Sequence, residues 1–154
     1  VALNVVLVEP EIPQNTGNIA RTCVVTDTTL HIIKPMGFSL DEKHIRRAGL
    51  DYWKDLKLKM YDSIDEFWQK NPDGVFLYFT TKAQKRFDRA GYPDGCFLIF
   101  GKETAGLDER ILASNREKCV RIPMYGDQRC LNLSNAVCVG VYEALRANRY
   151  FDLN

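Results

Sequence analysis

Residues 121–146, RIPMYGDQRCLNLSNAVCVGVYEALR, run from the tail of an apolar strand through a polar loop into an amphipathic helix. Gly126, Asp127, Gln128, Arg129, Asn132 and Ser134 make the loop polar, yet Cys130, Leu131 and Leu133 are interleaved among them. A purely solvated connector carries few apolar residues, so this loop is expected to fold back onto the molecule and offer its backbone groups to a ligand. Ser134 or Asn132 can cap the helix that follows. Within that helix Val137, Val141 and Leu145 form one stripe. Ala136, Gly140 and Ala144 recur at every fourth position, a row of small side chains that lets another backbone come close.

Upstream of this stretch, short apolar runs alternate with helical patterns. Residues 3–8 are apolar apart from Asn4 and suit a strand covered on both faces. After Glu9-Pro10, Asn15 or Thr16 can cap a helix that buries Ile19, Ala20, Cys23 and Val24. Residues 30–33 make a second strand. Ser39 and Glu42 have capping-box spacing for a helix ending near Gly49, with Lys43, His44, Arg46 and Arg47 on it. Leu56, Leu58 and Met60 alternate with lysine, as in a strand with one wet face near a sheet edge. Ser63 and Glu66 repeat the capping box ahead of a helix ended by Asn71-Pro72. Residues 75–79 and 97–100 are dense apolar strands, Asp108 caps a brief helix with Ile111 and Leu112, and 120–122 is the last strand. Such alternation means an α/β protein with a mainly parallel sheet, whose ligands bind beyond the carboxyl ends of the strands. Thr80-Thr81, residues 101–106 and the 124–134 loop all fall there.

Bulk properties narrow the function. A chain of 154 residues with 45% hydrophobic and 27% charged residues is expected to form one globular domain over 1–154. No apolar run approaches the roughly 18 residues of a membrane span, and no signal core opens the chain, so the cytoplasm is expected. Five cysteines without a C-x-x-C pair or a histidine at ligand spacing argue against a disulfide framework or a metal site. The net charge of +1 argues against a protein that coats nucleic acid, while the 43–47 cluster and Lys82, Lys85 and Arg86 can grip a few phosphates or simply be solvated helix faces. GKETAG lacks the Lys-Ser/Thr of a phosphate-binding P-loop, and no G-x-G-x-x-G follows the first strand. His31 and His44 have no evident triad partners and are assigned structural roles. Arg21, behind a Gly/Asn-rich helix entry, and Glu103, in a glycine-flanked loop, can each face a cleft or the solvent.

NTGNIARTC at 15–23, FGKETAGL at 100–107 and RIPM, LNLSNAV and VYEA between 121 and 144 together resemble the three signature motifs of the SPOUT superfamily of RNA methyltransferases. EPEIPQNTGNI, IIKPMGF and RRAGLDY resemble the branch of bacterial tRNA wobble-nucleotide 2′-O-methyltransferases, so the likeness spans the chain. The resemblance implies helices on both faces of the sheet and a C-terminal deep trefoil knot, with the 124–134 loop and the next helix as the tucked segment. It implies a homodimer whose site lies at the subunit interface, with the 136/140/144 row packed in the knot or between subunits. S-adenosylmethionine would be held largely by backbone groups at Phe79, Gly101, Ile122, Cys130 and Leu131. Arg21 would stand at the reacting ribose, supported by Asn15, Glu103 and Asn132, and Arg21, Lys43, Arg46, Arg47 and Lys82 would meet the tRNA. Cys130 stands where relatives carry serine, which weakens any hydroxyl hydrogen bond but spares a backbone contact. Methylation of another RNA such as rRNA, at a ribose or a base, and a catalytically inactive RNA-binding module of the same fold are the alternatives.

Overall fold

Val5 and Leu7 face one side of the first strand and Val6 and Val8 the other, and all four are buried. A strand buried on both faces must lie inside a sheet covered twice. The structure, a computed structural model, describes residues 3–39, 53–126 and 130–154. In chain order it contains β1 (Asn4–Val8), α1 (Pro13–Val25), β2 (Thr29–Ile33), β3 (Leu58–Tyr61), α2 (Ile64–Lys70), β4 (Phe76–Phe79), β5 (Phe97–Gly101), α3 (Glu109–Ala113), β6 (Cys119–Val120) and α4 (Leu133–Ala147). The strands form one sheet in the order β3-β2-β1-β5-β4-β6, and every pairing is parallel. The direction of winding reverses between β1 and β5, the kind of position at which open α/β sheets bind ligands.

Two apolar layers flank the sheet. On one face Ile19, Ala20 and Cys23 of α1 and Val137, Val141, Ala144 and Leu145 of α4 pack on Val5, Leu7, Leu98 and Phe100. On the other, Ile64 and Phe67 of α2 and Ile111 and Leu112 of α3 pack on Val6, Val8, Tyr78 and Ile99. The expected stripe on α4 is therefore core. Burying Val137, Val141 and Leu145 contributes about 2 kcal/mol each. β3 forms one sheet edge, with Lys59 exposed, as its alternation predicts.

Local chemistry sets most element ends. Ser63 Oγ accepts from Glu66 N (3.1 Å) at the start of α2, while the Glu66 carboxylate accepts from Asp62 N (3.0 Å). Asp108 accepts from Arg110 N (3.0 Å) to open α3, and the Asn132 side-chain oxygen accepts from Ser134 N (2.9 Å) and Asn135 N (3.4 Å) to open α4. Two expected boundaries are wrong. The first helix begins at Pro13, whose fixed φ and missing N–H suit a first turn, so Asn15 and Thr16 are buried in the helix rather than capping it. The last strand stops at Val120, because beyond it only Arg121 makes a single bridge, to Arg86. The helix expected from Ser39 and Glu42, with its basic cluster, lies outside the described residues. No helix among the described residues is long and apolar enough to cross a membrane.

His31 has the structural role expected of it. It is 1% exposed, among the rings of Tyr61, Phe67 and Phe97. Asn4 donates its amide N–H to Gly95 O (3.0 Å), which turns its side-chain oxygen toward His31 Nε2 (2.9 Å). Nε2 must then carry the proton, and Nδ1 accepts from the Tyr61 hydroxyl (2.9 Å). Every partner is satisfied with the ring neutral. Burial, helped by the charge of Lys59, pulls the His31 pKa down to about 4. Unfolded histidine titrates near 6.5, so this site's contribution to stability is whole above that pH and is lost as the pH falls toward 4. Urea unfolding should show up to about 3 kcal/mol of stability lost over that interval through this group. His31→Phe should be less stable at pH 7.5, because Asn4 and Tyr61 lose a partner, yet should lack this part of the acid slope.

Candidate functional site

Beyond the carboxyl ends of β4, β5 and β6 the three loops singled out in the sequence meet in one pocket of about 220 Å³. Phe79, Gly101, Ile122, Cys130 and Leu131 all line it, with residues 80–82 and 102–107 on its walls and Met124, Leu133 and Ala136 beside them. The floor is apolar. Phe79 and Phe100 stack at 4.4 Å between centroids with 22° between planes, and both reach the pocket.

Two glycines make this geometry possible. A Cβ on Gly101 would lie 2.4 Å from the Val8 carbonyl oxygen, so only glycine lets β5 stay paired with β1 up to the point where the loop departs. A Cβ on Gly140 would lie 3.0 Å from the Phe100 ring and 3.1 Å from that of Phe79. The small-residue row of α4 is thus spent within the protomer, seating the helix on the aromatic pair. Ala144 is fully buried in the same core and Ala136 faces the pocket.

The polar residues named with the pocket form a connected chain. Glu103, in the loop after β5, accepts from Glu11 N (2.8 Å) and Ile12 N (2.7 Å), at the entry to α1. Asn15 donates to Glu103 Oε2 (3.4 Å), and Asn132 donates to Asn15 Oδ1 (3.1 Å) while its own oxygen caps α4. A carboxylate therefore caps α1 from a loop 91 residues further along the chain, in place of the local side-chain cap that the helix lacks. Glu11 answers by accepting from Thr104 N (3.0 Å) and Thr104 Oγ1 (2.9 Å), and these bonds hold its carboxyl below the usual range. Lys102 pairs with Glu9 at 3.5 Å. The pocket wall at 102–104 is zipped to residues 9–12. Sequence reasoning missed Glu11 and Thr104, although a glutamate on each partner segment was the available signal.

Arg21 is placed elsewhere. It lies on α1 in the exposed stripe of Gln14, Asn18, Arg21 and Val25, and it does not line the pocket of its own protomer. Lys82 is exposed at the pocket rim, 3.7 Å from Glu109. Lys43, Arg46 and Arg47 lie outside the described residues. Among the described residues, no group of three or more His, Cys, Asp or Glu side chains is placed to hold a metal ion.

The profile of the SpoU rRNA methylase family matches residues 2–142. The chain belongs to the SpoU rRNA methylase family. Among its relatives, the tRNA (cytidine(34)-2'-O)-methyltransferase of Escherichia coli K12 is 49% identical over 150 residues, covering 96% of this chain and 95% of the relative. A solved structure described as giving insights into the 2-OH methylation of C/U34 on tRNA superposes with a TM-score of 0.90 at 40% identity, covering 96% of this chain and 97% of that one. An AdoMet-bound rRNA methyltransferase from Sinorhizobium meliloti shares the fold at a TM-score of 0.81 and 22% identity, covering 94% of this chain and 56% of that one. In this SpoU-family chain, the pocket brings together the motif at 100–107 and the one between 121 and 144, and the motif at 15–23 is tied to them through Asn15.

If Gly140 is what seats α4 on the aromatic pair, Gly140→Leu should destabilise the protein by about 2 kcal/mol, as overpacking of a filled core does. Equilibrium urea unfolding measures this, and wild-type stability in the variant would contradict the assignment.

Proposed function

We propose that this protein transfers a methyl group from S-adenosylmethionine to the ribose 2′-hydroxyl of the wobble nucleotide, cytidine or uridine 34, in the tRNA anticodon loop. The observation that carries this is the end-to-end match to an Escherichia coli enzyme of that activity, at 49% identity with 96% and 95% of the two chains covered. The family description names rRNA. The much closer similarity to tRNA-acting relatives favours tRNA. Acting on tRNA, it works in the cytoplasm.

The pocket's chemistry fits the donor. Adenine calls for a flat apolar slot, which the Phe79–Phe100 floor with Ile122 and Leu131 supplies. The hydroxyls and amino-acid end of the donor call for backbone donors and acceptors, which the turn closed by Gly106 N to Lys102 O (3.0 Å) and the strand ends present. Recognition through backbone explains how side chains as unlike as Phe79 and Gly101 serve together, and why Cys130 can stand where serine is usual. When bound, the donor supplies an electrophilic methyl carbon on its sulfonium. The protein's share is alignment of the ribose oxygen with that carbon, and positioning of this kind supplies much of an enzyme's acceleration. Glu103, Asn15 and Asn132 hold the walls that align it. A guanidinium is a poor base, so the role of Arg21 is to stabilise the developing alkoxide or grip the neighbouring phosphate. Lys43, Arg46, Arg47 and Lys82 dock further phosphates of a loop whose target nucleotide is splayed out.

The working unit is a homodimer. Val25 on α1 is 60% exposed, and Val139 and Tyr142 on α4 are 40% and 45% exposed, on two helices that pack against each other. Apolar side chains left open on adjoining helices suit a second copy. Arg21 shares the stripe of Val25, so the same contact carries the arginine of one protomer toward the pocket of the other. By the resemblance to the SPOUT superfamily, the 124–134 loop and α4 would be the segment tucked through a trefoil knot.

Incubation with unfractionated tRNA and labelled S-adenosylmethionine, followed by nucleoside analysis, should give 2′-O-methylcytidine or 2′-O-methyluridine at position 34. Label confined to rRNA or to a base would contradict the proposal. Arg21→Lys should retain turnover at saturating RNA with a raised KM, whereas loss of turnover with unchanged RNA affinity would overturn the anchoring role.

A further inference from the structure

Beside the pocket opens a second cleft of about 380 Å³, between residues 80–85 and the α3 region. Lys82, Lys85, Glu109, Arg116 and Glu117 line it over a base of Leu112 and Cys119. Thr80 and Lys82 line both cavities, so the two adjoin across the loop after β4.

The backbone fixes where these cations stand. Thr80 N donates to Val120 O (3.0 Å), Arg121 N to Lys85 O (2.8 Å) and Phe87 N to Arg121 O (2.8 Å), so residues 80–87 run alongside β6 and its continuation. Lys82 N donates to Thr80 Oγ1 (3.1 Å), which bends the chain between the two cavities. The charges are incompletely matched. Glu109 alone serves both Arg116, at 2.9 Å, and Lys82, at 3.7 Å, and all three side chains are mostly exposed. Lys85 has no side-chain hydrogen bond or ion pair among the described residues, and neither has the exposed Arg121 whose backbone holds it. Among the described residues no aromatic side chain lines the cleft, so none of them stacks on a base there.

We propose that this cleft seats the phosphodiester backbone of the RNA next to the nucleotide whose ribose enters the pocket. The inference rests on the function proposed above and adds a subsite to it. Cations that share one carboxylate in water hold it weakly, and an incoming phosphate takes up Lys85 and relieves the shared Glu109. A cleft with cations and no stacking surface grips backbone irrespective of sequence and sets register. Its place against the pocket, with Thr80 and Lys82 in the wall of both, favours RNA over an acidic protein segment, because the backbone flanking a nucleotide held in the pocket passes beside it. Lysines beside β6 also guard a sheet edge against pairing, but edge protection alone predicts no effect on RNA.

The test is binding of an anticodon stem-loop RNA with cytidine at the wobble position, measured by fluorescence anisotropy over a range of salt concentrations. It compares wild type with Lys85→Glu, Arg116→Ala and Lys59→Glu, the last a charge reversal of the same size on β3 at the opposite sheet edge. Lys85→Glu should weaken RNA binding about tenfold and reduce the salt slope by about 0.7 for each phosphate that the cleft no longer grips. Arg116→Ala should act in the same direction, and S-adenosylmethionine affinity should stay within about twofold of wild type, so that KM for RNA rises while kcat holds. Lys59→Glu should change RNA affinity less than about twofold. Wild-type affinity and salt slope in Lys85→Glu, or an equal loss in Lys59→Glu, would overturn the cleft while leaving the methyltransferase assignment intact. Failure of the wild-type protein to bind or methylate the RNA would remove both.

Discussion

One carboxylate holds the working end of this molecule together. The N-terminus of α1 presents N–H groups with no partner inside the helix, and its N-cap residue, Ile12, has no side chain that can satisfy them. Glu103 arrives from the loop after β5 and accepts from Glu11 N and Ile12 N, a cap worth about 1 to 2 kcal/mol that also meets the positive end of the helix dipole. Through Asn15 the same carboxylate reaches Asn132, which caps α4. A bond needed to finish one helix therefore fixes the loop after β5 and the approach to α4, two of the walls of the pocket, against the entry to α1.

Close packing supplies the rest. Gly101 lets β5 follow β1 without a clash at Val8, and Gly140 lets α4 settle on Phe79 and Phe100. Both of those rings also face the pocket, so the packing that stabilises the core shapes the floor of the site. Protein interiors pack at near-crystalline density, and a pocket floored by core residues inherits their rigidity. That suits a reaction in which alignment of an oxygen with a methyl carbon is the main demand. Arg21 and Lys82 are exposed instead.

Much of this was legible in the residues. Apolar runs marked the strands, and Ser63, Asp108 and Asn132 marked helix starts because their hydrogen bonds are local. The loops at 80–81, 101–106 and 124–134 could be placed beyond the strand ends because a parallel sheet leaves them nowhere else. Local chemistry misled at α1, where Asn15 has the composition of a cap but bonds across the fold to Glu103 and Asn132. The true cap comes from a loop remote in sequence, and no window along the chain contains both partners. The last strand was overextended at residues 121–122 because apolar Ile122 turns to the pocket rather than to the sheet. Similarity to the SPOUT motifs brought Arg21 into the site. Within one protomer it lies outside the pocket.

Titration calorimetry of S-adenosylmethionine into the wild-type protein and into Glu103→Gln tests the central claim most directly. The neutral amide presents a donor to backbone N–H groups that need an acceptor, so the loop wall should come loose from α1. The account predicts that the wild type binds the donor and that the variant binds it about tenfold or more weakly, in line with the loss of a helix cap. Wild-type affinity in Glu103→Gln would contradict the account.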